Sequence, residues 1–354
     1  MFQLSFSKHI FQTKEDFELD SPGFPDYASA AILFCKDWHS GKGSFVQQTS
    51  GSTGTPKKIE ISRAQMIASA KATQTFFQTN KETSLLCCLD PNYIAGKMML
   101  VRALVWQSTI QLIEPTSNPL LDLNSIPDFV AMVPLQVEAC IQDKATAQKL
   151  QKVKQLIIGG APISSGLKNL LIATGIQAYQ TYGMTETVSH IALAKIQPGE
   201  STYKMLPGVE FGVDRRKALW VKSAASNNEV VQTNDLVEFI EQDSFRWLGR
   251  ADFVINSGGV KLHPELLEAR AEQVIHAFYP NSAFFFFGIK DEKLGEKLCL
   301  VIEHQDSLIN ENQLLAKLKL EMEKYEVPKN IFVIPEFTRT SNGKVNRPKT
   351  VEKL

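Results

Sequence analysis

Ten residues from Thr49 to Lys58, TSGSTGTPKK, hold five hydroxyl side chains, two glycines, one proline and two lysines. A phosphate chain is bound by backbone N–H groups that can come close, by hydroxyl donors and by a compact cation. This stretch carries all three. Gly51 and Gly54 allow an approach that a Cβ would block, Thr49, Ser50, Ser52, Thr53 and Thr55 supply hydroxyls, and Lys57 supplies the charge. The Walker A spacing does not fit GSTGTPKK, because its second glycine and its lysine are not adjacent. A flexible Ser/Thr/Gly surface loop is the alternative for these residues taken alone.

Three other stretches carry chemistry. TYGMTETVSH, from Thr181 to His190, sets an aromatic ring (Tyr182), a hydroxyl (Thr185) and a carboxylate (Glu186) within five residues. It closes the last strand predicted for an α/β sheet, where such folds place ligands. RWLGRADFVINSGGVKLHPELLE, with Arg250, Asp252, Gly258, Gly259 and Lys261, joins two regions of different texture, and TRTSNGKVNR near the C-terminus places Lys344 behind a glycine. Asp235, in QTNDLVEF, and Arg250 are by themselves a turn residue and a salt-bridge partner as readily as ligands. Lys97 and Arg102 interrupt the otherwise apolar GKMMLVRALVW. Both snorkel from an amphipathic helix, or they face a buried anion. His190 is either a core histidine or a group turned toward substrate.

The elements that position these residues follow from periodicity. Strand-like runs (KKIEIS, SLLCCL, STIQLI, DFVAMV, KQLIIG, GIQAYQTY) alternate with helix-like runs (RAQMIASAKATQTFF, GKMMLVRALVW and a segment capped by Ser164). That alternation predicts a layered α/β sheet. Shorter strands from Gly208 to about Leu248 predict a small β subdomain. Beyond Arg250 a turn, a helix opened by Pro264, and further strands and a helix predict a separate α+β domain, giving residues 1–249 and 250–354. Phe284 to Phe287 read as a strand buried on both faces.

The 354 residues are 44% apolar and 21% charged, with 38 Lys plus Arg against 38 Asp plus Glu. That balance gives no footprint for nucleic acid. The start lacks the pattern of an export signal, and charged residues interrupt the most apolar stretch, so no membrane span is expected. Five cysteines without paired spacing fit a reducing, cytoplasmic setting rather than disulfides or zinc.

In their order along the chain, the four stretches resemble the motifs of the acyl-adenylate-forming enzymes: acyl-CoA synthetases, luciferases and nonribosomal-peptide adenylation domains. The resemblance runs from roughly Phe45 to the end. It implies a large N-terminal α/β domain and a small mobile C-terminal one, and a reaction using ATP, Mg²⁺ and coenzyme A. It places Thr49 to Thr55 and Lys57 on the β- and γ-phosphates, Thr185 on the α-phosphate and Glu186 on Mg²⁺. Tyr182, with Gly183 after it, stacks on adenine, beside a turn made by Gly159, Gly160, Ala161 and Pro162; Asp235 and Arg250 hold the ribose. Lys344 acts on the carboxylate and α-phosphate in the first half-reaction. Rotation about Asp252 then brings Gly258, Gly259 and Lys261 to the coenzyme A side.

TYGMTETVSHIALAKI and DPNYIAGKMMLVRAL look most like the compact bacterial o-succinylbenzoate:CoA ligases of menaquinone synthesis. Only 48 residues precede the phosphate loop, fewer than is usual in the family, so a reduced first subdomain is expected. A substrate with two carboxylates implies that one stays charged in the pocket, where Lys97, Arg102, Ser189 and His190 are the candidates. A CoA ligase for another aromatic or medium-chain acid, and a nucleotide-binding paralogue without turnover, are the competing readings.

Overall fold

The computed structural model describes residues 1–18, 23–48, 58–305, 311–340 and 345–354. Thirteen strands form one sheet, in the order His9–Phe11, Gln3–Phe6, Thr109–Leu112, Leu85–Cys87, Phe129–Met132, Gln155–Ile158, Ala178–Gly183, His190–Lys195, Thr202–Met205, Ser244–Arg250, Val230–Glu241, Ala218–Lys222 and Glu210–Val213. From Gln3–Phe6 to Ala178–Gly183 the pairing is parallel; from there to Glu210–Val213 it is antiparallel. The short strands after Gly208 extend the main sheet as its antiparallel end. Strand His190–Lys195 makes the join, pairing with Ala178–Gly183 on one side and Thr202–Met205 on the other.

The central strands are apolar throughout because their alternate side chains enter different cores. Leu85, Cys87, Phe129, Ala131 and Ile157 pack under helices Asp26–His39, Arg63–Phe77 and Ile94–Trp106. Leu86, Val130, Met132, Leu156 and Ile158 pack under helices Pro134–Gln142, Lys144–Leu150 and Ser165–Ala173. Helix Arg63–Phe77 starts at a capping box, with Ser62 Oγ accepting from the Gln65 N–H and the Gln65 side chain accepting from the Ser62 N–H. Ser164 caps Ser165–Ala173 through its Oγ alone, which accepts from the Leu167 N–H.

Strand Lys58–Ser62 belongs elsewhere than expected: it pairs antiparallel with Ser44–Gln48 in a separate two-stranded ribbon, where Phe45 and Ile61 are the buried apolar residues. Gln48 faces Lys58 in that register, so the segment 49–57 connects the two ends of one hairpin.

A second sheet contains Ile255–Ser257, Val260–Leu262, Phe284–Asp291, Gly295–Glu303 and Asn330–Ile334. The phenylalanine run splits as a doubly covered strand should. Phe286 enters the core under helices Pro264–Phe278 and Glu311–Glu321, while Phe285 packs against Phe337 and Val301.

Candidate active site

Strands Phe129–Met132, Gln155–Ile158 and Ala178–Gly183 run parallel and end along one edge, the expected ligand position in such a sheet. Gly159, Gly160, Ala161 and Pro162 follow the middle strand directly, with the Gly159 N–H bonded to the Met132 carbonyl at 3.1 Å. Gly160 to Pro162 are exposed on that edge. Thr49, Ser50, Gly51, Ser52, Thr53, Gly54, Thr55 and Lys57 lie outside the described residues, as does Lys344.

Asp235 and Arg250 are brought face to face by strand register, Asp235 opposite Arg250. Both Asp235 oxygens already accept: the Tyr182 hydroxyl donates to Oδ2 at 2.7 Å and Trp247 Nε1 to Oδ1 at 3.1 Å. Burial and the Asp235 charge push the Tyr182 phenol above its ordinary value, which keeps it a donor. Trp247 was not visible as a site residue in the sequence, because its contact depends on the pairing of two strands. Arg250 itself is turned to Asp252 at 2.8 Å, and Asn234 Nδ2 lies 3.3 Å from both Asp252 oxygens. An ion pair this exposed is worth little, so Arg250 can change partners cheaply.

The Thr185–His190 segment is a strained turn. Val188 has φ 67° and ψ −51°, and the Ser189 N–H reaches the Thr187 carbonyl at 2.7 Å, the rarer kind of γ-turn. Positive φ in a β-branched residue costs on the order of 1–3 kcal/mol. The buried Thr187 hydroxyl offsets this by sharing its one hydrogen between the carbonyls of Met184 and Ser189, each at 2.9 Å, while accepting from the Met184 N–H at 3.2 Å. Gly183 is required beneath the turn, since a Cβ there would lie 2.6 Å from His190 Cα and collide with the Ser189 carbonyl. The turn leaves Glu186 exposed and buries His190. No group of three or more His, Cys, Asp or Glu that could hold a metal occurs among the described residues. A lone exposed carboxylate suits Mg²⁺ only where phosphate oxygens and water complete the shell, which is the usual Mg²⁺ arrangement in nucleotide sites.

Arg102 is 2% exposed. Its helix, Ile94–Trp106, is buried nearly all round and not amphipathic, so the guanidinium cannot snorkel to water. Nη1 donates to Met99 Sδ at 3.4 Å and Nη2 to Ser189 Oγ at 3.1 Å; the guanidinium carbon is 5.9 Å from the Phe129 ring centroid, and Nε has no partner. No carboxylate pairs with it among the described residues. Burial pulls its pKa down to about 10, so it remains charged at neutral pH. Lys97 is placed apart from this group. Five residues along a helix is about 140° of rotation, and Lys97 Nζ donates to Gln47 Oε1 at 2.9 Å, on the ribbon strand that leads to Thr49.

His190 is 5% exposed, with Nε2 3.1 Å from Thr73 Oγ1 and Nδ1 3.4 Å from Ser189 Oγ. Both ring nitrogens are thus engaged within the protein. Burial, and then the Arg102 charge, hold its pKa well below 6.5. The unfolded chain therefore takes up a proton below pH 6.5 that the folded chain refuses, and stability present at neutral pH is lost as pH falls. Relative to His190→Gln, the wild type is expected to lose up to about 1.4 kcal/mol per pH unit below pH 6.5. Urea unfolding at pH 7.5, 6.5 and 5.5 reads this directly; parallel behaviour of the two proteins would mean the imidazole is not held neutral.

Gly258 and Gly259, with φ 58° and 82°, make the two-residue turn between Ile255–Ser257 and Val260–Leu262, and Lys261 stands exposed opposite Asn256. Near the C-terminus an Arg339–Val345 bridge and an Asn346 N–H to Thr338 carbonyl bond of 2.8 Å close the segment that contains Lys344. Arg347 ties it to helix Pro264–Phe278 through Glu268 at 2.7 Å, and lies 4.8 Å from the ring of Phe253, one residue beyond Asp252.

The model of the AMP-binding enzyme family matches residues 20–215, more than half of the chain. The chain belongs to the AMP-binding enzyme family. Among proteins of this family, it is 24% identical over 329 residues to the 2-succinylbenzoate–CoA ligase of Staphylococcus epidermidis, covering 85% of this chain and 68% of that one. It is 26% identical to the probable 2-succinylbenzoate–CoA ligase of Mycobacterium tuberculosis, covering 88% and 84%. A solved acyl-CoA synthetase (AMP-forming)/AMP-acid ligase II-like protein from Dyadobacter fermentans is 39% identical, covers 97% of this chain and 98% of its own, and superposes with a TM-score of 0.65. The Bacillus subtilis o-succinylbenzoate CoA synthetase, solved with its acyl-adenylate intermediate, is 21% identical with a TM-score of 0.71, covering 86% and 68%. This AMP-binding enzyme thus shares their fold, and the family match spans the hydroxyl-rich stretch from Thr49, the Arg102 helix and the Thr185–His190 turn. No helix among its described residues is long and apolar enough to cross a membrane.

Proposed function

We propose that this enzyme is an AMP-forming acid–thiol ligase that activates o-succinylbenzoate with ATP and transfers it to coenzyme A, a step of menaquinone synthesis. The observation that carries the substrate is Arg102: a buried guanidinium beside the Thr185–His190 turn with no carboxylate partner among the described residues. Burying an unpaired charge costs several kcal/mol, and a ligand carboxylate is the group that repays it. An acid with two carboxylates supplies one to Arg102 and leaves the other for activation. The names of the relatives agree with that class of acid.

In the first step a carboxylate oxygen attacks the α-phosphorus and the bond to pyrophosphate breaks. Thr49 to Thr55 and Lys57 receive the departing pyrophosphate, Thr185 the α-phosphate, and Lys344 the charge developing between carboxylate and phosphorus. Glu186 would hold Mg²⁺, which supplies screening of the phosphate charge. Tyr182, Gly183 and the Gly159–Pro162 turn flank adenine, with Asp235 and Arg250 on the ribose. In the second step the thiolate of coenzyme A attacks the acyl carbon and AMP leaves. Residues 1–249 and 250–354 act as two units: the hydrogen-bonding of the large sheet ends at Arg250 and that of the second begins at Ile255. Rotation at Asp252 exchanges Lys344 for the Gly258–Lys261 hairpin. A cytoplasmic setting, where ATP and coenzyme A are available, suits this chemistry.

Mass spectrometry of a mixture of enzyme, ATP, Mg²⁺, coenzyme A and o-succinylbenzoate is expected to show AMP, pyrophosphate and the acyl thioester. Turnover of other aromatic acids without turnover of this one would overturn the substrate while keeping the reaction.

A further inference from the structure

Arg102, Ser189, His190 and Thr73 form one hydrogen-bonded line from helix Ile94–Trp106, across the start of strand His190–Lys195, to helix Arg63–Phe77. Its direction is set from the two ends. A guanidinium only donates, so Arg102 Nη2 donates to Ser189 Oγ at 3.1 Å. At the far end, the fully buried Thr73 spends its single hydroxyl hydrogen on the Ser69 carbonyl at 3.1 Å. His190 Nε2, 3.1 Å from Thr73 Oγ1, must then carry the hydrogen and donate. The neutral ring is left with Nδ1 as an acceptor, facing Ser189 Oγ at 3.4 Å. The Ser189 hydroxyl hydrogen therefore points at the imidazole, and its lone pairs point at Arg102.

This arrangement orients a charge without neutralising it. Every hydrogen in the line is passed away from Arg102, and no member brings a negative charge to it. Ser189 takes one Nη2 hydrogen and Met99 Sδ one Nη1 hydrogen, while Nε is left without an acceptor. The plane of the guanidinium is thus fixed from one side while its buried Nε hydrogen stays unspent.

We propose that Thr73 and His190 are positioning residues for the second carboxylate of the acid: by holding Ser189 as an acceptor they fix the Arg102 guanidinium with its Nε hydrogen unspent for that carboxylate. The proposal rests on the diacid reading given above. It makes the enzyme's preference for a dicarboxylic over a monocarboxylic aromatic acid depend on a threonine one helix away from the ligand.

The test uses Thr73→Val, which keeps the shape and removes the acceptor of the His190 Nε2 hydrogen, and Thr73→Ser, which keeps that acceptor. Thr73→Val is expected to raise KM for o-succinylbenzoate about three- to tenfold, the worth of one neutral hydrogen bond, with kcat and the KM for 4-oxo-4-phenylbutanoate, which lacks the second carboxylate, unchanged. Thr73→Ser should behave as the wild type, and Thr73→Val should have no further effect in an Arg102→Met background. ¹⁵N NMR of the imidazoles should show His190 as the neutral Nε2–H tautomer. An equal rise in KM for both acids, persistence of the effect without Arg102, or the Nδ1–H tautomer would each overturn the proposal. Absence of diacid turnover by the wild type would instead overturn the substrate assignment, and the role built on it, even where NMR finds the hydrogen on Nε2.

Discussion

Replacing Lys344 by alanine is expected to reduce acid-dependent exchange of pyrophosphate into ATP by about 10³-fold, while thioester formation from supplied acyl-AMP stays within severalfold of the wild type. Removing a single preorganised donor from a developing oxyanion costs about 3–4 kcal/mol, and an ammonium is a compact charge that a neighbouring side chain cannot imitate. The second half-reaction has no pentavalent phosphorus to stabilise, so it should be spared. The effect is chemical and not a failure to fold, because the segment's flanks are held independently of Lys344. Arg339 pairs with both Glu303 oxygens, one of them at 2.6 Å, the Arg339–Val345 bridge closes the segment, and Arg347 is bonded to Glu268 at 2.7 Å. Undiminished exchange in the variant would remove Lys344 from the mechanism; equal loss of both half-reactions would place it in nucleotide binding instead of the adenylation step.

Arg102→Met has two expected effects of opposite sign. The free enzyme should be more stable, by about 1–3 kcal/mol, because a buried charge with no opposite partner among the described residues gives way to an apolar side chain of similar length. The KM for o-succinylbenzoate should rise about 10²-fold or more, because the ligand carboxylate then enters a buried site with nothing to pair it. Monocarboxylic aromatic acids should be nearly unaffected. Urea unfolding without ligand and pyrophosphate release against acid concentration read the two effects separately. An unchanged KM would take Arg102 out of the pocket, and a loss of stability would mean that its packing over Phe129 and Met99 outweighs the cost of burying the charge. This pairing of cost and use is the expected property of a binding cation: the free fold pays for what the complex recovers.

Much of the architecture is legible in the order of the residues. RAQMIASAKATQTFF and PELLEARAEQVIHAF are helices over those same residues, Arg63–Phe77 and Pro264–Phe278, because a capping serine in one and Pro264 in the other mark the first turn. The strand runs from SLLCCL to GIQAYQTY lie in the large sheet because each is bounded by local turn signals, and the central ones, such as Phe129–Met132, are apolar on both faces. KKIEIS was equally clear as a strand, yet its partner was not, since pairing is a property of two segments that a single run does not encode. The same limit hid Trp247, which meets Asp235 only through the register of Val230–Glu241 on Ser244–Arg250.

Chemistry divides along the same line. The hydroxyl-rich loop, the Thr185–Glu186 pair and the family they point to depend on residue types at short spacing, which sequence specifies directly. Whether Lys97 or Arg102 faces a buried anion depends on which side of a fully buried helix each occupies, and on what stands opposite. Ser189, His190 and Thr73 gather around Arg102 from two other elements, Thr73 lying 117 residues from His190 in the chain. Local composition alone determined that this chain could bind and activate through phosphate chemistry. Only the packing of distant elements withdrew one guanidinium from water with no counter-charge among the described residues, which is the physical ground for proposing that it receives the second carboxylate of an acid.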